Sequence, residues 1–181
     1  PFFQKNTNAR LELRTKSVNI TPLLKHTPSE NIVTAFSFTP KEISIQLEHG
    51  VPSVSSRIRA MQKLTEQGWQ VGLRVDPIID CQDFEKRYQG LFQDIFSSMP
   101  VDKIHSVSLG AFRMPTNFFK KMEKLHPDEK LFASSLEKRG GSVSYRLEIE
   151  RARKETCERL LLKHIGKEKI FSCETSPEPS Q

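Results

Sequence analysis

The sequence is poor in the residues from which disulfide frameworks and local metal sites are built. Its 181 residues hold three cysteines, Cys81, Cys157 and Cys173, an odd number at wide spacing that excludes both a disulfide framework and a C-x-x-C metal site. The five histidines, at positions 26, 49, 105, 126 and 164, form no H-x-x-x-H pair, so zinc and triad chemistry have no support and no metal ligand is assigned. Gly140-Gly141 is not followed by the lysine and helix of a phosphate-binding loop, which leaves a turn. No apolar run approaches the roughly 20 residues needed to cross a bilayer, so no membrane partner is expected. Residues 1–8 lack the apolar stretch and small-residue cleavage site of a secretory signal. These absences lead to the expectation of a reducing, cytoplasmic setting, and the start at Pro1 to the expectation of a further segment upstream.

What is present suits one soluble core: 36% hydrophobic and 28% charged residues in a chain of single-domain length. Twenty-eight Lys and Arg against 22 Asp and Glu give a net charge of +6, which favours polyanions by long-range attraction but is common in ordinary domains.

The patterning alternates between strand and helix. Leu11 to Lys16 has the two-residue period of a strand, and Ile32 to Phe38 is rich in β-branched and aromatic residues up to the Thr39-Pro40 break. Val54, Ile58, Met61 and Leu64 recur at helical spacing between a capping Ser53 and a closing Gly68. A strand over Trp69 to Ile79, broken at Asp76-Pro77, is followed by a helix from about Asp83 to Ser98, a strand over Ile104 to Phe112, and a helix opened by Pro115. This rhythm predicts an α/β fold with parallel strands alternating with helices, whose ligands bind beyond the carboxyl ends of the strands. Thr15, Lys16, Ser37, Arg74, Asp76 and Arg113 fall there. Beyond Pro127, a basic hairpin or loop around Lys138 to Tyr145 leads into a charged helix from about Leu147 to His164. Residues 1–9 are expected as a lead-in, 10–166 as the folded part, and 167–181 as a disordered tail, with Thr175 to Gln181 rich in Ser and Pro.

Several segments, in order and wording, resemble the spore photoproduct lyase family: Leu11-Glu12-Leu13-Arg14-Thr15-Lys16, Phe36-Ser37, Ser55-Ser56-Arg57-Ile58-Arg59-Ala60 and Gly72-Leu73-Arg74-Val75-Asp76-Pro77-Ile78. The resemblance runs from about Arg10 to Gly166 and is strongest from Leu11 to Met99. It implies the carboxyl-terminal portion of a radical S-adenosylmethionine enzyme with a partial TIM-type barrel, repairing a pyrimidine photolesion in DNA. The C-x-x-x-C-x-x-C loop that holds the family's 4Fe–4S cluster is absent, and Cys81, Cys157 and Cys173 do not replace it. The cluster is therefore expected on residues outside this segment, and the segment alone is expected to be inactive.

By the same resemblance Lys16 and Ser37 match positions that meet the carboxylate and ribose of S-adenosylmethionine; the plain alternative is a solvated strand-end lysine and a serine satisfied by backbone. Arg74 and Asp76 can reach into the barrel mouth, pair with each other, or cap the next element. Lys138, Arg139, Tyr145 and Arg146 occupy the region of the family's DNA-contacting hairpin, where cations neutralise phosphates and an aromatic stacks on a base. That stretch is poorer in aromatics than the family pattern, which leaves open an exposed charged loop. Two other functions stand beside lesion repair: radical chemistry on another substrate, and a non-catalytic nucleic-acid-binding relative.

Overall fold

The structure, a computed structural model, describes residues 2–6 and 8–173. Five parallel strands, β1 (Leu11–Thr15), β2 (Ile32–Ser37), β3 (Gln70–Ile78), β4 (Ile104–Ala111) and β8 (Ile170–Ser172), lie side by side in the order β1-β2-β3-β4-β8. Between them run helices α2 (Thr21–Leu24), α3 (Lys41–Leu47), α4 (Val54–Glu66), α5 (Phe84–Ser97), α6 (Thr116–Leu125) and α7 (Leu147–Leu161), after a single turn, α1 (Phe2–Lys5). Strands β5 (Arg113–Pro115), β6 (Leu136–Arg139) and β7 (Ser142–Tyr145) form a separate antiparallel sheet in the order β5-β7-β6. The expected α/β architecture, part of a barrel with parallel strands and intervening helices, is the one observed.

Helix α4 forms where its apolar spacing and caps direct. The Ser53 hydroxyl accepts from Ser56 N, and Gly68 ends the turn at φ +93°, a conformation that a side chain would strain. Its stripe of Val54, Ile58, Met61 and Leu64 packs in one cluster with Leu73 and Val75 of β3, Tyr88, Phe92 and Ile95 of α5, and Cys157, Leu160 and Leu161 of α7. Full burial of an aliphatic side chain such as Leu64 contributes about 1.5–3 kcal/mol. Because side chains alternate across a strand, the residues between these core positions all turn to the opposite face, where the site lies.

Three features depart from the sequence reading. Strand β3 continues through Asp76-Pro77, a cis peptide, to Ile78; its pairing with β4 shifts between Val75 and Ile78, so the missing N–H of Pro77 falls where the ladder is already irregular. Helix α3 went unforeseen, although Glu42 in its first turn and the Ile43/Leu47 pair at i, i+4 announce it. Residues 167–172, expected as the start of a disordered tail, form a 3-10 turn and β8, which pairs with Val107 to Leu109 and covers the outer edge of β4. The Thr175 to Gln181 stretch lies outside the described residues.

Candidate functional site

On the face of the sheet away from the core, the strand register builds successive rows. Arg14, Ala35, Gly72 and Ser106 lie level, and the row above holds Ser37, Arg74 and Ser108. The small residues leave room for one long side chain. The Arg74 guanidinium lies across Gly72, where an added Cβ would sit 2.9 Å from its Nη2. It then folds toward the strand starts and grips Glu12 in two bonds, Nη2 to Oε2 at 2.7 Å and Nε to Oε1 at 3.0 Å, while also donating to the carbonyl and hydroxyl of Ser106. The bond from Arg74 holds the Glu12 carboxyl below the usual carboxylate range. Arg74 thus turns away from the strand ends, and its partner is Glu12 rather than Asp76.

Asp76 stays at the mouth, between Arg14 Nη1 at 3.5 Å and Arg113 Nη1 at 3.4 Å. This cross-link joins β1, β3 and β5. Gly110 is needed beside it, since a Cβ there would come within 2.6 Å of Asp76 Oδ1. One row away from the mouth, the buried Ser108 hydroxyl meets no hydrogen-bond partner among the described residues, and a buried polar group without a partner calls for a ligand, water or neighbouring segment.

At the ends of β1 and β2 the charges converge on a residue that the sequence reading missed. Lys16 Nζ donates to Glu48 Oε1 at 2.8 Å, and Thr39 Oγ1 donates to the same oxygen at 2.9 Å. Glu48 Oε2 accepts from Ser44 Oγ at 2.8 Å and from Arg57 Nη2 at 2.7 Å. Arg57, 0% exposed, spends Nη1 on the carbonyl of Ser37 at 2.7 Å and sits over the Phe38 ring. Burial pushes the Glu48 carboxyl up, but the bonds from Lys16 and Ser44 and the charges of Lys16 and Arg57 outweigh it, so it ionises below the usual range. Lys16 remains 34% exposed along its side chain, with further N–H groups to give. The cluster of one carboxylate and two cations leaves one net positive charge at the mouth.

The hairpin is real, closed by Gly140 and Gly141 at φ +53° and +79°, as a two-residue turn between twisted strands requires. Its four singled-out residues separate. Lys138 and Arg146 are exposed. Arg139 bonds Glu150 at 2.5 Å and Ser144 Oγ at 3.1 Å. Tyr145 is 1% exposed, packs on Phe112, and accepts a hydrogen bond from Asp80 N at 2.9 Å. Its expected stacking on a base is incompatible with that burial: the strand alternation that puts Val143 inward puts Tyr145 inward too. Tyr88 accepts from Ile79 N at 2.8 Å, so both tyrosines of the chain pin consecutive amides just past β3.

A family model described as spore photoproduct lyase matches residues 1–147. The chain belongs to the spore photoproduct lyase family. The spore photoproduct lyase of Clostridium acetobutylicum is 25% identical over 130 residues, which is 72% of this chain and 38% of that protein. Among solved structures, a spore photoproduct lyase variant with dinucleoside spore photoproduct aligns at a TM-score of 0.77 and 21% identity, covering 90% of this chain and 50% of the other. A variant with bound AdoMet and dinucleoside spore photoproduct aligns at 0.73 and 20% identity, over the same shares. The chain therefore spans about half the length of the solved lyases and 38% of the curated one.

Within this spore photoproduct lyase fold the cysteines do not assemble a centre. Cys157 is fully buried in the core, where burial pushes its thiol well up, and no group of three or more His, Cys, Asp or Glu side chains fit to hold a metal ion occurs among the described residues. No helix among them is long and apolar enough to cross a membrane.

Proposed function

We propose that this segment is the carboxyl-terminal part of a radical S-adenosylmethionine lyase that reverses a pyrimidine photolesion in DNA. The observation that carries the reading is the strand-end cluster: a partly exposed ammonium, Lys16, beside Ser37 at the ends of adjacent strands of a spore photoproduct lyase fold. The donor set suits S-adenosylmethionine. Lys16 binds its carboxylate and Ser37 its ribose hydroxyls. Arg74 and Asp76 act on the cosubstrate through shape, since each is already ion-paired. The 4Fe–4S cluster does not fit this segment; cysteines upstream in the same chain would hold it, and it would supply the electron that reductive cleavage of S-adenosylmethionine needs.

Lys138 and Arg146 meet DNA phosphates at the hairpin, with Arg139 supporting the hairpin through Glu150. The protein works in the cytoplasm, where its DNA substrate lies. The burial of Tyr145 favours a second reading, radical chemistry on a different substrate, because Tyr145 is not free to receive a base drawn from the stack.

The test is an anaerobic assay of the complete, cluster-reconstituted protein with S-adenosylmethionine and a dinucleoside spore photoproduct. Release of the two thymidines is expected. Cosubstrate cleavage without repair, together with equal affinity for irradiated and intact duplex, selects the second reading. Reductive cleavage of the cosubstrate by residues 1–181 alone overturns the assignment of the cluster to an upstream segment.

A further inference from the structure

The partner of Lys16 is itself held from four directions. Glu48 receives Lys16 and Thr39 on one oxygen and Ser44 and Arg57 on the other, with its side chain 9% exposed. Arg57 is fixed in turn to the Ser37 carbonyl at the end of β2. Carboxylate, arginine and strand end are therefore one unit tied to the backbone.

We infer that Glu48 is a positioning residue: by fixing one N–H of Lys16 it aims the others at the carboxylate of an α-amino acid group seated on the strand ends. This rests on the reading of Lys16 given above. A lysine on a flexible stem loses rotamer freedom when it binds, and an ammonium already held by Glu48 has less to lose. Neutralisation does not cancel the attraction, because Arg57 offsets Glu48 and leaves the charge of Lys16 in excess. If Glu48 served only to quench Lys16, its removal would strengthen anion binding, which is the opposite sign.

The experiment compares two unreactive adenosine thioethers by equilibrium binding to the complete protein: S-adenosylhomocysteine, which carries the α-carboxylate, and 5′-methylthioadenosine, which lacks it. The wild type is expected to prefer the first. Glu48→Gln lowers that preference about tenfold, the scale of a charge-assisted bond, and leaves 5′-methylthioadenosine binding unchanged; Glu48→Asp restores part of it. Since Glu48→Gln leaves Arg57 charged and buried, Thr39→Val, which removes one donor to Glu48, serves as the milder variant and lowers the preference about threefold. An undiminished or increased preference, or equal weakening of both ligands, overturns the inference. Lys16→Met separates the two levels: preference lost there but kept in the Glu48 and Thr39 variants defeats Glu48 alone, whereas preference kept in Lys16→Met defeats the reading of Lys16 and the inference with it.

Discussion

At the mouth of β1 and β2, Lys16 and Arg57 converge on a single carboxylate, whereas on the β6–β7 hairpin Lys138 and Arg146 stand in solvent. Each region brings two cations, and the two differ in what holds them. Arg57 is out of water, so its charge is tolerable only with Glu48 in place and makes the cluster rigid. Lys138 and Arg146 cost nothing to keep and fix nothing; they can attract a polyanion but do not orient one. One region is organised before any ligand arrives, and the other supplies field alone.

The sharpest way to break the contrast is Arg57→Ala, which takes from Glu48 its buried cation and from the Ser37 carbonyl its donor; a loss of about 3–5 kcal/mol is expected in urea denaturation. Acid breaks the same pair from the carboxylate side. The carboxyls of Glu12, Glu48 and Glu150 all lie below their ordinary 4.5. A carboxyl depressed by folding contributes stability that is complete above its unfolded value and is lost as the pH falls through its folded value. Melting temperature is therefore expected to fall in two steps with acid: a shallow one below about pH 6.5, because burial also holds the His105 and His164 imidazoles below their ordinary range, and a steeper one below about pH 4.5 as the carboxyls protonate, with Glu48→Gln removing part of the second. Tyr145→Phe tests the other region: loss of its bond to Asp80 N costs about 1–2 kcal/mol, and duplex affinity stays unchanged because the ring is buried. Smallest of all is the effect of Lys138→Ala with Arg146→Ala on folding, within about 0.5 kcal/mol. That double variant instead flattens the salt dependence of DNA binding by about two phosphate contacts; an unchanged slope would remove the hairpin from the DNA interface.

The parallel part of the fold was legible because strand and helix periods leave little choice of face: Val54, Ile58, Met61 and Leu64 pack as their spacing requires. Arg57 was legible in the same pattern and passed over. It lies on that apolar stripe, three residues from Val54 and four from Met61, and an arginine there must be buried with a counter-charge. Glu48 lacks such a signal, for it sits past α3 before the Gly50 turn and meets Lys16 only through the tertiary fold. Tyr145 was misread because hairpin composition was weighed ahead of strand alternation. Strand β8 was missed because Ile170-Phe171-Ser172 is too short to show a period.

The match to the family ends at residue 147, where α7 begins. Yet Cys157, Leu160, Leu161 and Ile165 fill the core beyond that point, and Ile170 to Ser172 close the outer ladder of β4. A gene cut where the recognisable pattern stops would encode a protein with a hole under its sheet and a bare strand edge, prone to join its neighbours. The cloning boundary that respects this molecule lies past Cys173, well outside the part that declares its ancestry.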